Sequence, residues 1–167
     1  RCMAFRQPTR ADLELGLPLQ LVAGSAGGGL WISRSGGYRW EQAGLPDIVG
    51  AVGCVAWSAV DRRIIYVGTG DVPLTYPDGI GFFRSEDGGA SFTRLVRDAG
   101  DTGSARHYMK IALDPNDARR AWVASDTGLW RLEGSSFGAE TIPGVAAGTA
   151  VTDVALTSDP ANANQYL

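Results

Sequence analysis

Short apolar runs bounded by turn-forming residues recur along the whole chain. The first of each set is centred on alanine: Cys2-Met3-Ala4-Phe5, Cys54-Val55-Ala56-Trp57, Lys110-Ile111-Ala112-Leu113 and Asp153-Val154-Ala155-Leu156. A second run follows each, as Gln20-Leu21-Val22-Ala23, Ile65-Tyr66-Val67-Gly68, Ala121-Trp122-Val123-Ala124 and Gln165-Tyr166-Leu167. Between first and second runs lie Asp61-Arg62, Asp114-Pro115-Asn116-Asp117 and Ser158-Asp159-Pro160, residues whose side chains or fixed φ favour reversal. Each pair therefore reads as a hairpin, the first with a longer connection over 7–16. A third strand follows at Leu30-Trp31, Phe82-Phe83 and Leu129-Trp130, each behind a glycine, and a fourth carries Trp40, Phe92 and Phe137.

Four strands make one unit. The central alanines are 52, 56 and 43 residues apart, close to the ~40 to 50 residues of a propeller blade. The chain is expected to be all-β, a β-propeller segment with repeats at about 1–50, 51–106, 107–150 and an incomplete 151–167. A two-sheet sandwich also has short strands, but gives no reason for the same alanine and glycine-aromatic positions to recur. Propellers close with ~4 to 8 blades, so further blades or partner chains are expected to complete this one. An isolated arc is expected to leave two apolar blade faces uncovered.

Between third and fourth strands the second repeat reads Ser85-Glu86-Asp87-Gly88-Gly89-Ala90-Ser91-Phe92, which fits Ser/Thr, any, Asp, any, Gly, any, Ser/Thr, aromatic at every specified position. On this motif the chain resembles Asp-box (BNR) propellers, a group containing sialidases, sortilin-type receptor domains, xyloglucanase-like glycosidases and a photosystem assembly factor. The chemistry of Ser85, Asp87, Gly89, Ser91 and Phe92 is that of a turn: Asp87 can accept backbone N–H groups, Gly89 permits positive φ, and Phe92 can anchor the next strand between blades. The first copy has Ser35 where Asp is expected, and the third is two residues shorter. A structural role tolerates both changes.

Composition narrows the classes. The chain has 167 residues, 44% hydrophobic and 20% charged, with 23 glycines suited to many tight turns. A net charge of -3 with dispersed basic residues provides no footprint for nucleic acid. The longest apolar stretch, 49–57, is broken by Gly50 and Gly53 and falls short of the ~20 residues of a bilayer span. Cys2 and Cys54 occupy equivalent repeat positions, where a sheet spacing of ~10 Å disfavours a disulfide, so buried free thiols are expected. The glycine run 24–29 lacks the Lys-Ser/Thr pair and following helix of a phosphate loop. Asp61, Asp114 and Asp159 read as turn acids without the alternating oxygen ligands of a calcium site. No metal and no cofactor are expected.

In an up-and-down blade the boxes mark one end. The resemblance places the usual ligand face at the other, over 24–29, 70–81, 125–128, 42–53 and 96–108. Long loops on a rigid scaffold commonly carry function. These supply Asp71, Tyr76, Asp78, Arg97, Asp98, Asp101, Arg106, His107, Tyr108 and Asp126, able to contact a sugar or peptide. His107 is the sole histidine and has no recognisable nucleophile partner.

Glycoside hydrolysis needs two converging carboxyl groups. The xyloglucanase-like resemblance implies a catalytic Asp in a Thr-Asp-Ile-Gly-Gly loop. The first repeat has Ala26 in that loop, and Asp126 in Ser125-Asp126-Thr127-Gly128 is the candidate acid. The sialidase resemblance implies an Arg-Ile-Pro segment, which is missing, although Arg106 and Tyr108 could imitate parts of such a site. The expectation is a non-catalytic binding or scaffold propeller contacting protein or glycan through the loop face, with a glycosidase as the alternative. Export to a secreted, periplasmic or cell-surface location is implied by the resemblance alone.

Overall fold

The computed structural model describes residues 2–6, 8, 10–46, 51–70, 79–96, 107–156, 158–159 and 162–166. Three four-stranded antiparallel sheets follow one another in sequence order. The first contains β1 (Cys2–Arg6), β2 (Gln20–Gly24), β3 (Leu30–Ser33) and β4 (Glu41–Gln42). The second contains β5 (Val52–Trp57), β6 (Ile65–Thr69), β7 (Phe82–Ser85) and β8 (Thr93–Val96). The third contains β9 (Tyr108–Leu113), β10 (Arg120–Ser125), β11 (Gly128–Glu133) and β12 (Ser136–Glu140). Strands within each sheet pair only with their sequence neighbours, and β5 packs between β1 and β9. This is the blade arrangement of a β-propeller, with first strands innermost.

Alternation along each strand explains the stacking. Val55, Trp57, Ile65, Val67 and Phe83 of the second blade face Val22, Leu30 and Ile32 of the first in one apolar cluster. The opposite face of the second blade, with Cys54, Tyr66 and Phe82, meets Tyr108, Ile111, Val123 and Leu132 of the third. Full burial of such a side chain contributes roughly 1.5–3 kcal/mol.

The blades approach closely where second strands carry small residues. A Cβ on Gly24 would lie 2.4 Å from Cγ1 of Val52, and one on Gly68 would lie 2.3 Å from Cβ of Tyr108. Cys2 pairs in register with Gly24, and Cys54 with Gly68, so the two thiols do hold equivalent positions. Neither forms a disulfide; Cys54 is buried, whereas Cys2 is only partly so. Burial pushes the Cys54 thiol well above its ordinary range, with the neighbouring Cys2 adding to it.

Three expectations are corrected. The 7–16 connection contains a five-residue helix, α1 (Arg10–Glu14), held where buried Asp12 meets buried Arg6 at 2.6 Å. The 153–156 segment is not a strand. Asp153 Oδ1 accepts the Val154 amide at 2.9 Å, a local bond that competes with a ladder. The following hairpin is instead β13 (Ser158–Asp159) with β14 (Asn162–Tyr166). Finally, the third blade's far face is not wholly apolar but mixes Ala112, Trp122 and Leu129 with charged residues. Arg131 pairs there with Glu140 at 3.5 Å and Glu133 at 3.8 Å, and Lys110 with Asp153 at 3.6 Å.

Candidate functional site

The box end is fully used in making turns. Asp87 Oδ1 accepts the Ser91 amide at 2.9 Å and the Ser85 hydroxyl at 2.8 Å, and Oδ2 accepts the Ser91 hydroxyl at 2.5 Å. Ser85 Oγ in turn accepts the Gly89 amide at 2.8 Å. The bonds from Ser91, hydroxyl before amide, hold the Asp87 carboxyl down to about 2. In the first blade Ser35 Oγ accepts the Arg39 amide at 2.8 Å, and Ser33 Oγ accepts the Gly37 amide at 2.9 Å. A hydroxyl thus replaces the carboxylate because only an acceptor is required. The third turn needs just Gly134 and Ser135 between β11 and β12.

These turns also stitch blades together. Arg34 Nη2 donates to the Gly88 carbonyl at 2.8 Å, and Arg84 Nη1 to the Gly134 carbonyl. Arg119 meets Glu86 at 3.0 Å. Phe92 packs against the cluster between blades one and two, and Phe137 against that between two and three.

Asp87 gives a pH dependence with a definite sign. Its folded pKa lies below its unfolded value, so its stabilisation is complete above about pH 4 and is lost as pH falls toward 2. Thermal melts across that interval should show a falling Tm. Asp87→Asn should lower Tm at neutral pH by a few degrees and flatten the acid slope; an unchanged slope would refute the assignment.

The opposite end is organised by one hydroxyl per blade, each directly after the small residue of the second strand. Ser25 Oγ accepts the Gly28 amide at 3.1 Å. Thr69 Oγ1 accepts the Ile80 and Gly81 amides at 2.8 and 3.0 Å. Ser125 Oγ accepts the Trp130 indole N–H at 3.0 Å and the Thr127 amide at 3.2 Å. The Ser25 and Ser125 carbonyls also receive the Val52 and Val151 amides, at 3.1 and 2.8 Å. Because Ser25 takes up amides of the glycine run, that loop is a closed turn and not a phosphate cradle. The hydroxyl triplet was missed as a set, although superposing the repeats in the sequence places all three in one column.

On this loop face Asp126 is half-buried, and its amide donates to the His107 carbonyl at 3.1 Å. His107 and Tyr108 are buried. The Tyr108 ring lies 5.4 Å from that of Phe82. Burial pushes the Tyr108 phenol up, with the Asp126 charge as the next cause, so Asp126, His107 and Tyr108 do come together. Asp71, Tyr76, Asp78, Arg97, Asp98, Asp101 and Arg106 lie outside the described residues. Beside Asp126, a cavity of about 130 Å³ opens between Thr127, Leu129 and Glu140 on one side and Ile142, Val145 and Val151 on the other. The 141–151 connection was not among the expected ligand loops. Its signals are Gly144 and Gly148, both at positive φ, which fold it back against β11 and β12.

The Tyr108 hydroxyl is buried and has no hydrogen-bond partner among the described residues. Leaving such a group unsatisfied is unfavourable, so Tyr108→Phe should raise stability by about 1 kcal/mol. Urea denaturation would read this as a higher midpoint at unchanged slope; a lower midpoint would mean that the hydroxyl has a stabilising partner in solution.

Among the described residues there is no group of three metal-ligating side chains, and no helix is long and apolar enough to cross a membrane. No known family's sequence profile matches the chain, and no curated protein matches it. Solved structures do. A GH74 xyloglucanase from Xanthomonas campestris is similar at 24% identity and TM-score 0.51, over 74% of this chain and 16% of that one. An ancestral GH74 enzyme is similar at 20% identity and TM-score 0.62, over 88% of this chain and 19% of that one. The GH74 enzyme of Niastella koreensis is similar at 20% identity and TM-score 0.56, over 87% of this chain and 22% of that one. The chain thus spans less than a quarter of each enzyme's length, and the likeness is one of fold: an arc of β-propeller blades.

Proposed function

We propose that these blades form part of a glycan-contacting propeller surface, binding polysaccharide through the loop face without performing hydrolysis. The observation that carries this reading is the cavity at 127–151 on the face opposite the box turns, beside Asp126. Its walls combine the aliphatic side chains of Leu129, Ile142 and Val145 with the hydroxyls of Thr127, Thr141 and Thr149 and the Glu140 carboxylate. That mixture suits a sugar, which presents apolar C–H faces and hydroxyl edges. The box residues, by contrast, are occupied in turns.

Calorimetric titration with xyloglucan oligosaccharides tests the reading, using the polysaccharide class named for the Xanthomonas campestris neighbour. Val145→Trp should fill the cavity and reduce affinity at least tenfold while the fold is retained. Oligosaccharide binding that is absent, or unaffected by the substitution, would overturn the proposal.

The second reading is glycoside hydrolysis, favoured by the position of Asp126 on a second-to-third-strand loop and by the enzymatic nature of the structural neighbours. Hydrolysis needs another carboxyl group roughly 5 to 9.5 Å away. Of the groups placed near Asp126 above, His107 and Tyr108 are not carboxyl groups, and the Glu140 carboxylate across the cavity is paired with Arg131 at 3.5 Å. Glycan turnover abolished by Asp126→Asn would replace the binding proposal with this one. Either reading puts the protein where polysaccharide is met, outside the cell or in the periplasm.

A further inference from the structure

The cavity at 127–151 has two chemically different sides, and the polar one fixes what a ligand must offer. Ser125 Oγ gives its only proton to the Gly128 carbonyl at 2.9 Å. It takes the Trp130 indole N–H at 3.0 Å and the Thr127 amide at 3.2 Å, which fills both of its lone pairs. Thr127 Oγ1 lies 3.3 Å from that filled oxygen and itself accepts the Trp130 indole at 3.3 Å. Ser125 therefore has no lone pair left for the Thr127 proton, which stays available to whatever enters the cavity. Glu140, paired with Arg131 at 3.5 Å, presents carboxylate oxygens that only accept. A hydroxyl-bearing edge satisfies both groups, one oxygen accepting from Thr127 and one hydroxyl donating to Glu140. A sugar carboxylate would instead face the Glu140 charge, and the nearby cation, Arg131, is already shared between Glu140 and Glu133.

The other side is aliphatic, with Ile142, Val145, Ala146, Ala147 and Val151 along it. Its backbone is engaged in turns: the Ile142 and Ala146 carbonyls accept the Val145 and Thr149 amides at 3.1 and 3.2 Å, and the Val151 amide donates to the Ser125 carbonyl at 2.8 Å. No aromatic side chain is among the lining residues, so this side suits an alkyl group better than the flat face of a sugar ring. The volume of about 130 Å³ is below the roughly 300 Å³ at which pockets for whole small-molecule ligands begin, which limits the occupant to one residue of a chain. A hydroxymethyl group turned toward Val145 would place its O–H among methyl groups, whereas a methyl group there would bury apolar surface with no polar atom left over.

Resting on the glycan reading above, we propose that the cavity is a subsite for a neutral 6-deoxy sugar residue. Its ring hydroxyls meet Thr127 and Glu140, and its methyl group packs on Val145, Ala146 and Ala147. Glu140 excludes uronic acids, and the aliphatic side selects the 6-deoxy sugar over its parent hexose.

Calorimetric titration with matched methyl glycosides tests this. Glucose, 6-deoxyglucose and glucuronate, and the corresponding sugars of the galactose series, differ within each series only at the sixth carbon. In at least one series the 6-deoxy sugar should bind roughly fivefold tighter than its parent or better, and the uronate about tenfold weaker than the parent or worse. Val145→Thr sets a hydroxyl on the aliphatic side and should bring the 6-deoxy and parent sugars within about twofold of each other. Glu140→Gln should remove the penalty on the uronate while changing the affinity of the neutral sugars far less. Parent hexoses that bind as tightly as their 6-deoxy forms in both series, a uronate that binds best, or a preference untouched by Val145→Thr would overturn the proposal. So would 6-deoxy sugars that fail to bind while xyloglucan oligosaccharides do, and in each of these cases the glycan reading survives. If neither these sugars nor xyloglucan oligosaccharides bind, the glycan reading itself falls and the subsite with it.

Discussion

Gly89→Ala is expected to destabilise the chain by roughly 2–5 kcal/mol, although it adds a single methyl group to a turn. Two independent effects combine. Gly89 has φ 92, a backbone region costing an L-residue about 1–2 kcal/mol. A Cβ built there would also lie 2.1 Å from Cδ1 of Ile32 in the first blade, with Cδ1 of Ile65 at 3.3 Å. Ile32 is 1% exposed and β-branched, so it has little freedom to withdraw, and overpacking such a site costs ~1–3 kcal/mol. Gly134→Ala separates the terms: Gly134 has φ 62, but nothing lies within 4 Å of its added Cβ. It should show the backbone cost alone. Urea midpoints for the two variants measure the difference directly, and equal losses would mean that Ile32 yields without penalty.

The same glycine shows how far the sequence was legible. Its place in the box was readable because a turn acid, a glycine and an aromatic recur at fixed spacing. Its contact with Ile32 was not, since no local pattern reports which residue of a neighbouring blade arrives at a given turn. The blades themselves were legible for a physical reason. Period-two alternation and a small residue opposite each inner strand repeat three times, and repetition makes weak local signals agree. The 153–156 segment exceeded that logic. It carries the repeat's apolar pattern, yet a strand exists only when a neighbour takes its hydrogen bonds, and Asp153 offers a local alternative.

The candidate site was less legible because polarity in a loop does not specify convergence. His107 and Tyr108 read as exposed ligand-face residues, but the bulge that sets Met109 out of register turns Tyr108 into the core between blades. Val52 fills the equivalent position beside Gly53 in the preceding blade. The cavity at 127–151 involves a connection whose residues are mostly small or aliphatic, the opposite of a polar-residue search. What positions both is Ser125 at the end of β10, whose hydroxyl fixes the Asp126 turn and whose carbonyl holds the returning chain at Val151.

That convergence depends on the aromatic cluster below it, which yields the larger expected loss. Phe82→Ala should cost roughly 3–5 kcal/mol, a large part of the stability of an ordinary domain. Phe82 is fully buried, and its ring centroid lies 5.9 Å from Tyr66, 5.4 Å from Tyr108 and 5.3 Å from Phe137. Removing it withdraws transfer energy and three ring contacts at once, and leaves a cavity that the β-ladders on both sides cannot close. Phe82→Leu keeps most of the volume and should cost substantially less. The consequence should extend to the loop face, because Tyr108 packs on Phe82 and is the register partner of Ser125, which Asp126 directly follows. Hydrogen exchange should therefore show faster opening of the Asp126 and Val151 amides in Phe82→Ala than in Phe82→Leu. A loss below about 1 kcal/mol with unaltered exchange would mean that blades two and three hold together without this cluster, and that the loop face is organised by its hydroxyl bonds alone.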